Sequence, residues 1–169
     1  SVLALAVLAG CTKKLDLSPT NELTNDKVFA TPLGYKQAIA KVYGVMITTG
    51  SQGPGSGDLP SQIISDAGNS DFLRNMWYLE CLSTDEAGWT YHNNTDPIGI
   101  HQMNWTAVNF SVKCSYYRSY YAITLANNFI NESSDENLSK RGIAGKDAAD
   151  IKVYKEEARF LRAFHCWLL

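Results

Sequence analysis

The segment that most constrains this chain is a helical pattern too wide to face a single neighbour. From about Asn104 to Ile130 apolar residues recur at α-helical spacing, with a break near the start of the segment. Val112, Tyr116, Tyr120, Ile123, Asn127 and Ile130 fall on one line, and Tyr117, Tyr121, Leu125 and Phe129 broaden it. A helix that is apolar over so much of its girth buries itself among other helices. The rest of the chain supplies candidates. Thr31-Pro32 is a favoured opening, with Thr as N-cap and Pro at the first helical position. Tyr35, Ile39, Val42, Tyr43 and Met46 then keep the helical period, with a stop expected before Gly50. Phe72, Met76, Leu79 and Leu82 mark a weaker helix over 71–82. A last helix starts near Asp147, with Tyr154, Ala158, Leu161, His165 and Leu168 on one face and Phe160, Phe164 and Trp167 on another. On its outside Lys152 and Glu156 are spaced to pair. Two-residue alternation is scarce, so the expected class is all-α, helices joined by irregular loops. The last helix is strongly apolar and meets no stop signal, so the fold is expected to be incomplete at the C-terminus.

Composition narrows the function. A chain of 169 residues that is 45% hydrophobic can pack one domain of ordinary size. Its formal net charge of −2 leaves no electrostatic footprint for nucleic acid. Three histidines, His92, His101 and His165, are scattered, and no Cys and His cluster has metal-ligand spacing. Beyond Cys11 there remain Cys81, Cys114 and Cys166, either one disulfide with a spare thiol or three buried free thiols. Residues 50–57 form a glycine-rich loop with no Lys-Ser or Lys-Thr after it, so no phosphate cradle is indicated. Five Asn-x-Ser/Thr triplets, at Asn93, Asn104, Asn109, Asn131 and Asn137, are read as coincidence in an Asn-rich chain.

The first ten residues are an unbroken run of small and apolar side chains, matching the hydrophobic region of a secretory signal. The run is too short to span a bilayer. It closes on Leu8-Ala9-Gly10-Cys11, the pattern of a bacterial lipobox, whose cysteine thiol carries the diacylglycerol. Residues 1–10 are therefore expected to be a signal-peptide remnant clipped upstream, and residues 11–30 a lipidated tether. Residues 31–169 are expected to be the α-helical domain, held at a membrane through Cys11.

Several segments, in order, resemble the SusD/RagB family of Bacteroidetes outer-membrane lipoproteins. Leu15-Asp16-Leu17-Ser18-Pro19 after the cysteine is similar to the family's opening. Val28-Phe29-Ala30-Thr31 and Tyr43-Gly44 resemble its first helical hairpin. Ser83-Thr84-Asp85-Glu86-Ala87 resembles the segment that opens its ligand-side loop. Trp105, Tyr116-Tyr117, Ile123 and Ala126-Asn127 resemble its central helix. Residues 157–164, Glu-Ala-Arg-Phe-Leu-Arg-Ala-Phe, are the most specific match. The resemblance covers almost the whole chain and the N-terminal portion of a family member. It implies tetratricopeptide-like helical hairpins with ligand loops on one face. It also implies an oligosaccharide ligand, and a lid-like seat on a SusC-like TonB-dependent transporter at the cell surface of the outer membrane. Such proteins bind; they are not enzymes, and no catalytic residue, metal or cofactor is implied. Two departures stand out: Lys13 and Lys14 precede the first acid, Asp16, which leaves the membrane leaflet open, and Cys114 and Arg118 are unusual in the central helix.

Residues 83–100 lose periodicity and form an unusually long loop, the best candidate for a ligand site. Trp89 and Tyr91 offer planar faces for sugar C–H surfaces, or they pin the loop to the core. Asn93, Asn94, Asp85 and Glu86 can hydrogen-bond hydroxyls, although an acid at a loop start is more often a cap. Adjacent carboxylates on one segment rarely flank a glycosidic bond from opposite sides, so Asp85 and Glu86 do not read as a hydrolytic pair. Glu157, Arg159 and Arg162 read as structural ion pairs and carbonyl contacts between helices, and Asn127 as a buried amide bonded to backbone. The competing reading of the whole is a lipoprotein scaffold of helical repeats that docks a protein and has no sugar site.

Overall fold

The computed structural model describes residues 24–47, 71–93 and 95–169; the signal remnant, Cys11, most of the tether, the loop at 50–57 and Asn94 lie outside them. The described residues form seven helices and no strand: α1 Asn25–Val28, α2 Pro32–Gly44, α3 Phe72–Cys81, α4 Thr95–His101, α5 Phe110–Glu132, α6 Asp135–Lys140 and α7 Gly145–Trp167. The all-α class follows the periodicity. Local chemistry accounts for most helix starts. Thr31 Oγ1 accepts from the Gly34 N–H at 3.2 Å, and Asp71 Oδ1 accepts from the Arg74 N–H at 2.9 Å. Asn109 Oδ1 accepts from both the Ser111 and Val112 amides. Each cap satisfies a backbone donor that the first turn cannot pair. At α7 the expectation was two residues late. The chain enters at Gly145, which holds φ +61°, and Asp147 sits in the first turn, where its charge suits the helix dipole.

Packing fixes the helix directions. Lys152 meets Asp135, Arg162 meets Asn127, and His165 meets Ser119, so α7 runs antiparallel to α5. Tyr35 reaches Glu132 at one end of α2 and Val45 receives Arg118 at the other, so α2 is also antiparallel to α5. Phe29, Tyr35, Ile39, Val42, Ala126, Phe129, Leu138, Ile151, Ala158 and Leu161 close the core between these three helices. Phe29 brings the end of the stretch assigned to the tether into that core. Gly34 is required where it stands, because a Cβ there would lie 1.8 Å from the Val28 carbonyl oxygen.

The buried face of α5 is not the one its apolar line predicted. Tyr116, Tyr117 and Tyr120 are exposed, while Ser111, Cys114, Arg118, Ser119, Ala122, Ala126, Phe129 and Glu132 are buried. Ala126 of α5 and Ala158 of α7 share the core, where small side chains suit two packed helices, and Ala122 is buried on the same face. Tyrosine tolerates exposure because its hydroxyl remains solvated. On α7 the line through Tyr154, Ala158, Leu161 and His165 does face inward, whereas Phe160 and Trp167 point outward. Lys152 pairs with Asp135 of α6 at 2.8 Å rather than with Glu156, which instead meets Arg159 at 3.3 Å.

The long loop is also shorter than expected, since 95–101 is α4. Its helix is held from outside. Asp96 Oδ1 accepts from the Phe110 N–H at 3.0 Å, the Asp96 carbonyl accepts from Asn109 Nδ2 at 2.9 Å, and Pro97 and Ile100 are buried. Seven residues are too few to be stable as a helix without such contacts, or to show a clear period.

Candidate functional site

The segment between α3 and α4 begins on a firm base. Phe72 sets its ring edge against Phe164 at 6.3 Å and His165 at 5.5 Å, and Leu82 is fully buried at the far end of α3. The turn that follows is closed by hydroxyls. Ser83 Oγ donates to the Leu79 carbonyl at 2.6 Å, Thr84 Oγ1 donates to the Cys81 carbonyl at 2.9 Å, and the Glu86 N–H donates back to Thr84 Oγ1 at 3.2 Å. Capping, the role the sequence favoured for Asp85 and Glu86, therefore falls to Ser83 and Thr84. Both carboxylates are exposed.

Trp89 is fixed within the loop and against α3. Its indole Nε1–H donates to the Tyr91 carbonyl at 2.9 Å, which locks the ring against its own backbone. Tyr78 of α3 meets the ring edge-on at 5.4 Å, and Tyr91 tilts against it at 6.0 Å. Trp89 stays half-buried, while Tyr91 is 73% exposed and His92 and Asn93 are exposed beside it. The loop is further tied to α4, because Gly88 lies against the His101 imidazole.

Two aromatic neighbours went unnoticed in the sequence. Tyr78 contacts Trp89 directly, and Trp77, 46% exposed, packs edge-on against Tyr78 at 5.8 Å. The signal was an adjacent Trp-Tyr pair on α3 outside its buried line. Periodicity has no reason to connect such a pair to a loop residue eleven positions away.

The other candidates serve structure. Tyr43 donates its hydroxyl to Glu157 at 3.1 Å, and Arg162 donates to Asn127 Oδ1 at 2.9 Å. Asn127 is thus an exposed side-chain partner rather than a buried amide on backbone. Cys114 is buried, with its thiol pushed up to about 11 by burial, Cys81 is half-buried and Cys166 is exposed; no disulfide joins any two of them. Only one of the three is therefore buried. Among the described residues no three His, Cys, Asp or Glu side chains gather as a metal site would require, and no helix is long and apolar enough to cross a membrane.

No family model matches the chain, and no solved structure matches it. The chain is similar to the starch-binding protein SusD of Bacteroides thetaiotaomicron, at 29% identity over 172 residues, covering 99% of this chain. It spans 28% of that relative's length. The likeness to SusD first read from short motifs thus extends along the entire sequence.

Proposed function

We propose that this SusD-like chain is part of a glycan-binding lipoprotein of the outer membrane that works with a SusC-like TonB-dependent transporter. In this reading the 83–94 segment is the ligand loop. Trp89 and Tyr91 stack on sugar rings, and Asn93, Asn94, Asp85 and Glu86 hydrogen-bond their hydroxyls. The observation that carries it is the state of Trp89, held rigid by Tyr78 and by its own bond to the Tyr91 carbonyl beside an exposed ring. A pre-set aromatic face with neutral polar groups nearby suits a polyol, because little side-chain freedom is lost on binding. The relative's name supplies the first ligand to try, starch. Binding rather than hydrolysis is favoured because Asp85 and Glu86 are neighbours on one exposed strip.

Affinity electrophoresis on soluble starch and other polysaccharides tests the loop. Trp89→Ala is expected to weaken binding at least ~10-fold, as loss of a central aromatic anchor does. Asn93→Ala should weaken it less. Unchanged retardation for both variants would remove the sugar assignment from this loop. The anchor has its own test: Cys11→Ser is expected to move the protein from the membrane fraction to the soluble fraction. Continued membrane residence of that variant would count against lipidation at Cys11.

The scaffold reading has one observation in its favour. Tyr116, Tyr117 and Tyr120 on α5 and Phe160 and Trp167 on α7 are exposed, and aromatic residues are enriched where proteins meet. It predicts that the loop variants leave every interaction of the protein unaltered.

A further inference from the structure

We propose that Trp77 of α3 is a second sugar platform of the same site, kept in register with Trp89 by Tyr78, so that the site reads a chain of sugars rather than one ring. This rests on the glycan reading of the 83–94 loop. Four rings run in sequence from the helix into the loop: Trp77, Tyr78, Trp89 and Tyr91. Their centroids are separated by steps of 5.8, 5.4 and 6.0 Å. Each step is comparable to the length of one pyranose unit. The two middle rings are half-buried and the two end rings are open to solvent. The open faces of Trp77 and Tyr91 are thus separate stacking surfaces, linked through the half-buried Tyr78 and Trp89.

The helix end of this series is the more rigid one. Asp71 caps α3, and Phe72 and Leu82 bury its two ends. An aromatic side chain carried by such an element is pre-organised, in a way that Tyr91 on its loop is not. Trp77 nevertheless leaves nearly half of its surface in water, where tryptophan is usually well covered. Tyr78 is the positioning residue: it touches both tryptophans edge-on and offers little surface of its own.

The test is isothermal titration of the full chain with maltooligosaccharides, from maltose to maltoheptaose. Wild-type affinity should rise with length. Trp77→Ala should leave maltose binding unchanged and lose about tenfold on the longest member, flattening the series. Trp77→Phe should restore part of the slope. Tyr78→Ala should weaken every length and shift the tryptophan fluorescence, because Trp89 loses its support, whereas Tyr78→Phe should do neither. A Trp77→Ala series that keeps the wild-type slope, while Trp89→Ala abolishes binding, would overturn the second platform and leave the first intact. Failure of the wild-type protein to bind any member would overturn the loop's assignment to this glycan and the second platform with it.

Discussion

Replacing Tyr35 by alanine is expected to cost about 3–5 kcal/mol of stability, the range for truncating a large buried aromatic. The ring has no solvent exposure and sits 4.9 Å from Phe29 and 6.1 Å from Phe129, at the centre of the core shared by α2, α5 and α7. Its hydroxyl donates to the Glu132 carbonyl at 2.8 Å and accepts from Arg141 Nη1 at 2.8 Å. Burial raises the phenol above its ordinary value, against the pull of Arg141, so it stays protonated and keeps that donor. Tyr35→Phe separates the two contributions. It retains the ring and removes the hydroxyl, leaving Arg141 still paired with Glu132. Its cost should be about 1–2 kcal/mol, one buried hydrogen bond plus an undersatisfied carbonyl. Urea denaturation of the two variants checks this. Equal losses would mean that the hydroxyl network, not ring packing, holds the core.

Acid should weaken the fold through His165. The imidazole is 1% exposed, packed by Phe72 of α3 and Phe164 of its own helix, with Ser119 Oγ of α5 3.5 Å from Nδ1. Burial, and then the nearby Arg118 cation, push it down to about 4 from the ordinary 6.5. Arg118 itself donates to the Val45 carbonyl at 2.7 Å and feels Asp71 and Cys114. The folded state therefore holds His165 neutral at pH values where the unfolded chain binds a proton. Stability from this group is complete above pH 6.5 and is lost as pH falls towards 4, by up to about 3 kcal/mol, after which the loss levels off. Denaturation midpoints measured across that window should fall in the wild type. A His165→Gln variant, less stable at neutral pH, should lack this component of the slope. Parallel curves for the two proteins would show that His165 is not the group responsible.

The residues themselves show how far sequence reasoning reached. Thr31-Pro32 announced its helix start because capping is a contact between residues two or three apart. The inward line of α7 was legible because Ala158, Leu161 and His165 keep one period. The line on α5 misled, since hydrophobicity counts tyrosine as core while the face packed between helices carries alanine and serine. Arg118 looked anomalous in a central helix and proved to be buried, joining α5 to the end of α2. At the candidate site, Trp89 and Tyr91 stood out by chemistry alone, but their neighbours Trp77 and Tyr78 did not.

By itself the sequence determined the all-α class, the starts of α2 and α3 and the likeness to SusD, because these rest on local spacing and short motifs. Tertiary structure alone decided which face of α5 is inside, that 95–101 closes into a helix, and that Tyr78 supports Trp89. Each of those outcomes depends on contacts between residues distant in the chain, whose energies no local period records.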